Sequence, residues 1–135
     1  MNNLIVVNKD KNMTSRDVVN SLNHIFNTKK IGHTGTLDPI ATGVLICLIG
    51  KYTKLVDILT SYDKEYIATI KLGIKTDTLD ITGNIIEEKV FNISKDKIIE
   101  VFSSLVGDYE MTIPVYSAVK IHGKKFLLII KNFYK

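Results

Sequence analysis

A single cysteine, Cys47, stands in 135 residues, and there is no tryptophan. One cysteine excludes a disulfide framework and any multi-cysteine zinc site. No apolar run reaches the ~18 residues that a membrane-spanning helix requires. Met1-Asn2-Asn3 opens no basic segment followed by a long apolar one, so no secretory signal is read. A reducing, cytoplasmic compartment is therefore the default, with no membrane partner expected. No 20–50-residue period repeats, and no low-complexity linker divides the chain. The three histidines, His24, His33 and His122, lack metal-ligand spacing, so no metal is expected. Gly50-Lys51-Tyr52 lacks the glycine spacing and the hydroxyl residue of a phosphate loop. Asp77 to Glu88 fails as a calcium loop, because its third, fifth and sixth positions are Leu79, Ile81 and Thr82. A zinc deaminase needs cysteine pairs that are missing, and no nucleophile elbow supports a serine hydrolase.

What is present suits one folded domain or part of one: 45% hydrophobic and 24% charged residues, with mean hydropathy +0.12. Charge is unevenly spread. Residues 1–60 carry seven Lys/Arg against four Asp, residues 61–110 six Lys against ten acids, and residues 111–135 five Lys and no acid. A basic–acidic–basic layout permits a polyanion at the two ends, and equally a merely solvated lysine surface.

Leu4 to Val7 reads as a buried strand. Thr14-Ser15 offers a helix N-cap with Asp17 in the first turn, and Val18, Val19, Leu22, Ile25 and Phe26 predict a helix over 15–27. Val44 to Ile49 is a second strand closed by Gly50, and Lys51 to Leu59 a second helix. Alternation over 64–72 predicts a strand, 76–83 a polar loop, and 84–90 another strand. Ser94 caps a helix ending near Gly107, Val115 to Ile121 reads as a strand, and His122-Gly123-Lys124 as a turn. The class is α+β: a mixed, largely antiparallel sheet with flanking helices.

The informative stretch is Gly32-His33-Thr34-Gly35-Thr36-Leu37-Asp38-Pro39-Ile40-Ala41-Thr42-Gly43-Val44-Leu45. Asp38 is the only acid between Asp17 and Asp57, with Lys29-Lys30 before it and Lys51 and Lys54 after. A lone carboxylate in a glycine-rich, basic-flanked loop suits a nucleophile or base beside a phosphate backbone. The residues alone equally allow Asp38 to do no more than start an Asp-Pro turn.

This stretch resembles the active-site motif of the bacterial tRNA pseudouridine-55 synthases, the TruB family. Val7-Asn8-Lys9 to Met13-Thr14-Ser15-Arg16-Asp17-Val18-Val19 resembles the family's opening strand, turn and helix. Asp63-Lys64-Glu65-Tyr66 with Ala68 resembles its second motif, and Leu72-Gly73 to Asp80 and Gly83 the loop after it. Ile113-Pro114-Val115-Tyr116-Ser117-Ala118-Val119-Lys120 with Gly123-Lys124-Lys125 resembles the third. The blocks fall in family order across residues 4–125.

The resemblance implies isomerisation of a uridine at position 55, in the T loop of tRNA, to pseudouridine, with the T-arm stem-loop as partner and no cofactor. It implies Asp38 as the essential carboxylate, acting ionised, a form that nearby lysines favour. It implies that Tyr66 packs on the target base, a position otherwise read as a core aromatic, and that His33 lies beside the flipped nucleotide, a position otherwise read as a backbone-bonded loop histidine. Lys120, Lys124 and Lys125 are implied contacts to the RNA backbone.

Asp10 stands where the family has proline after the lysine. After Lys125 the family continues with a tyrosine- and arginine-bearing helix, a second active-site tyrosine with an arginine, and a C-terminal RNA-binding domain. The expectation is therefore an N-terminal portion of the catalytic domain over 1–125, a divergent tail over 126–135 and no RNA-binding domain. A truncation or frameshift would account for this, and the alternative function is a catalytically impaired RNA-binding remnant.

Overall fold

The computed structural model describes residues 1–108 and 110, and the backbone of 120–121 and 124–125. It divides into two units, Met1–Ile67 and Ala68–Lys135. The predicted strand at 115–121 lies outside the described residues except for its last two, and the apolar run 126–130 lies wholly outside them.

In the first unit, β1 (Asn3–Lys9) pairs antiparallel with β3 (Gly43–Ile49), from Asn3 opposite Ile49 to Lys9 opposite Gly43. β2 (Ile31–His33) pairs antiparallel on the other side of β3, with His33 opposite Cys47. The order is β1-β3-β2. The period-two alternation of strands turns Ile5, Val7 and Lys9 to the same face as Leu45 and Cys47.

That face is covered by α1 (Ser15–Ile25), whose buried residues Ser15, Val18, Val19 and Leu22 follow the i, i+3, i+4, i+7 spacing of one helix face. Val18, Val19, Leu22, Leu45 and Cys47 form the core, with Ile5, Val7, Met13, Phe26 and Ile31 packed against it. Each fully buried aliphatic side chain contributes about 2 kcal/mol. The helix starts at a capping box: Thr14 Oγ1 accepts from the Asp17 N–H, and the Asp17 carboxylate accepts from the Thr14 N–H. Gly50 follows β3 at φ +66, where an added Cβ would collide with the Met1 carbonyl oxygen. The predicted second helix divides into a 3-10 segment, Gly50–Leu55, and the short α2 (Val56–Thr60).

In the second unit, β4 (Ile74–Thr76) and β5 (Ile85–Glu88) form an antiparallel pair. The loop between them is held by its own side chains. Asp80 Oδ1 accepts from the Thr78 and Thr82 hydroxyls and the Thr82 N–H, with the Thr82 hydroxyl the largest influence holding its carboxyl below the usual range. α3 (Lys95–Ser104) begins at Ser94, whose hydroxyl accepts from the Lys97 N–H. β6 (Lys120–Ile121) pairs antiparallel with β7 (Lys124–Lys125).

The α+β class holds, and every strand pair among the described residues is antiparallel. The clearest departure is 64–72, predicted as a strand. Residues 63–71 carry no strand and every one is exposed. Alternation sorts side chains onto two faces but supplies no hydrogen-bonding partner, and no described residue pairs with this segment. No described helix is long and apolar enough to cross a membrane.

Candidate active site

Asp38 lies in the connection from β2 to β3, at the end of the sheet where Lys9 faces Gly43. Its side chain is exposed. The Asp38 carbonyl accepts from the Ala41 N–H at 3.0 Å, closing a turn with Pro39 at its second position. The Asp-Pro turn is therefore real, and it presents the carboxylate to solvent.

Both neighbours of Asp38 are tied to the fold. On one side, the Leu37 N–H donates to Ser15 Oγ at 2.9 Å. On the other, the Pro39 carbonyl accepts from the Asn12 N–H at 2.7 Å and from Lys9 Nζ at 3.5 Å. Lys9 is 1% exposed. Its Nζ also donates to the Met13 carbonyl at 2.7 Å and the Asp10 carbonyl at 3.0 Å, so one buried ammonium joins the 10–13 turn to the Asp38 turn. Asn12 stands at φ +68, a left-handed conformation that asparagine tolerates. The loop's entry is fixed as well. The Thr34 N–H donates to the Ile46 carbonyl at 3.1 Å, and the Thr60 hydroxyl to the Thr34 carbonyl at 3.0 Å.

The lysines flanking the loop in sequence are not its ion-pair partners: the ion pairs among the described residues are Lys89–Glu87 and Lys97–Glu100. His33 sits on β2, not in the loop, and is half-buried. Its Nδ1 is buried and has no hydrogen-bond partner among the described residues, so the backbone-bonded reading does not hold for that nitrogen. Tyr66 belongs to the irregular 63–71 segment and is 70% exposed, so it is no core aromatic. Lys120 lies in β6, in the other unit, and Lys124 and Lys125 in β7; their side chains are outside the described residues. The structure thus brings His33 and Asp38 onto one β2–loop–β3 segment and leaves Tyr66 and Lys120 off it. A groove of about 520 Å³ runs along β4 and β5, lined by residues such as Lys71, Lys89 and Phe91, and none of the candidate residues lines it.

Lys9 and Asn12 receive no role from sequence reasoning, and Ser15 only that of a helix cap shared with Thr14. Two signals were available. Lys9 continues the inward parity of Ile5 and Val7 along β1, and Ser15 shares the helix face of Val18, Val19 and Leu22. A polar residue at an inward position marks a buried partner. No group of His, Cys, Asp and Glu among the described residues could hold a metal ion.

The model of the TruB family pseudouridylate synthase N-terminal domain matches residues 23–132. The chain is 46% identical over 125 residues to the tRNA pseudouridine synthase B of Fusobacterium nucleatum, covering 93% of this chain and 44% of that protein. It is likewise 46% identical over 125 residues to that of Caldicellulosiruptor saccharolyticus, covering 93% and 43%. To that of Clostridioides difficile it is 42% identical over 133 residues, covering 98% and 44%. The chain spans less than half the length of these relatives.

Proposed function

Because the chain belongs to the TruB family of pseudouridylate synthases, we propose that it supplies the Asp38-bearing part of an enzyme that converts a uridine of tRNA to pseudouridine. The substrate uridine is position 55 in the T loop, presented on the T-arm stem-loop. In the reaction the N-glycosidic bond breaks, the uracil turns, and a carbon–carbon bond forms through C5, which loses its hydrogen to water while the former glycosidic nitrogen gains one. The product is an isomer, so the atoms balance without a cofactor.

Asp38 is the essential carboxylate, and one observation carries this reading. The loop lifts a solvent-facing carboxylate on a turn whose flanking residues, Leu37 and Pro39, are both hydrogen-bonded to distant parts of the fold. Fixing both neighbours is what a reacting group needs, since misplacement by about 1 Å costs on the order of 100-fold in rate. His33 lies beside the flipped nucleotide, and its unpartnered buried Nδ1 supports that role, because a polar atom in such a position is costly unless a partner arrives. Tyr66 supplies the flat wall on which an unstacked base rests, and its exposure leaves the ring available. Lys120 contacts the RNA backbone. Such chemistry places the protein in the cytoplasm with its tRNA.

The alternative reading is that these residues bind the T arm without turning it over. Tritium release from a T-arm stem-loop carrying uridine labelled at C5, measured beside Asp38→Ala, separates the two. Release that disappears in the variant supports catalysis. Salt-sensitive binding with no release supports the second reading.

A further inference from the structure

We propose that Ser15 is a positioning residue for Asp38, a proposal that rests on the reading of Asp38 as the essential carboxylate. Ser15 is 3% exposed and is the first residue of α1. Its neighbours on the same helix face, Val18, Val19 and Leu22, are apolar and buried in the core. A hydroxyl at such a place needs a partner. Helix capping does not use it, because Thr14 already accepts the Asp17 N–H. Instead Ser15 Oγ accepts from the Leu37 N–H at 2.9 Å and donates to the Leu37 carbonyl at 3.4 Å.

Leu37 immediately precedes Asp38, so the orientation of its peptide groups sets the direction in which the Asp38 side chain leaves the backbone. Pro39 is held independently through Asn12 and Lys9, and the Asp38 carbonyl is engaged by Ala41. Among the described residues, Ser15 Oγ makes the only side-chain hydrogen bonds to Leu37. Because α1 is packed on β3 and capped at Thr14, its first turn is a rigid base for this contact. The hydroxyl therefore transmits the position of the helix to the carboxylate without touching substrate.

The test compares the wild-type chain with Ser15→Ala and Ser15→Thr, the second keeping a hydroxyl. Amide hydrogen exchange is read at Leu37 and, as an internal control, at Val19 and Cys47. Single-turnover tritium release at saturating T-arm RNA is read alongside the RNA dissociation constant. In Ser15→Ala, Leu37 exchanges about tenfold faster or more while the core amides keep their protection. Release slows about 10–100-fold with RNA affinity within about twofold, and Ser15→Thr recovers most of both. Unchanged Leu37 exchange in Ser15→Ala overturns the proposal. So does loss of protection at Val19 and Cys47 in step with Leu37, which would make Ser15 a general stability residue. If wild-type protein releases no tritium, the activity proposed for this chain fails by itself, and the exchange comparison alone decides whether Ser15 fixes the Asp38 peptide.

Discussion

Replacing Lys9 with methionine removes the cation beneath the Asp38 turn and keeps most of the apolar stem. Two of its bonds, at 2.7 and 3.0 Å, have charge-assisted length, and the third, at 3.5 Å, is marginal. At about 1.5–3 kcal/mol for each hydrogen bond to a charged group, the two short ones amount to roughly 3–6 kcal/mol. Relief of the buried ammonium's desolvation returns part of this, so the expected net loss is about 2–4 kcal/mol. Urea denaturation followed by far-UV circular dichroism gives the loss, with amide exchange at Ile5 and Cys47 confirming that it falls on the β1–β3 unit. Lys11→Met is the control, because Lys11 is exposed in the same turn and its loss should stay within about 0.5 kcal/mol. A Lys9→Met protein within about 0.5 kcal/mol of wild type would refute the reasoning, since the three carbonyls would then be satisfied without the lysine.

Three other outcomes follow from single features. Gly50→Ala should destabilise by more than about 1 kcal/mol, because φ is +66 and the new methyl meets the Met1 carbonyl. Removing Met1 and Asn2 from that variant should recover the part due to collision but not the part due to backbone strain, as thermal melts of the four proteins would show. Burial raises the Cys47 thiol above its ordinary value, so native protein should react with iodoacetamide far more slowly than urea-unfolded protein, by mass spectrometry. The capping box should be acid-sensitive: the Thr14 hydroxyl and N–H hold the Asp17 carboxyl below its ordinary value. Its contribution is present above the unfolded carboxylate range and is lost as pH falls through the lower folded value. Asp17→Asn should flatten that part of the stability-versus-pH curve.

Local patterns foretold the first unit well. The strands around Val6 and Ile46, the Thr14 cap and the Gly50 turn each depend on residues close together in sequence, and each formed, although β1, read as buried, lies at the sheet edge with Leu4 and Val6 exposed. The 64–72 segment shows the limit. Its alternation is a clearer strand pattern than the apolar run of β1, yet β1 has β3 beside it and 64–72 has no strand partner among the described residues. The short β2 was hidden for a different reason, since Gly32 and His33 carry the composition of a loop and become a strand only through pairing with Leu48 and Cys47. At the candidate site, composition singled out Asp38 but not what holds it. The Asp-Pro turn was legible because it is local. The Lys9–Pro39 and Ser15–Leu37 contacts were not, because each crosses between segments that only the fold brings together.

That separation has a consequence in time. Lys9 and Pro39 are 30 residues apart, and Ser15 and Leu37 are 22 apart. Closing such spans costs entropy that the few bonds around Asp38 cannot recover before β1 and β3 have paired. The Asp38 loop is then among the last parts of its unit to take shape during folding and among the first to let go. Substitutions at Leu37 or Pro39 should accordingly speed unfolding and leave the folding rate nearly unchanged. A short peptide carrying only residues 32–45 would hold the reactive carboxylate but not its geometry.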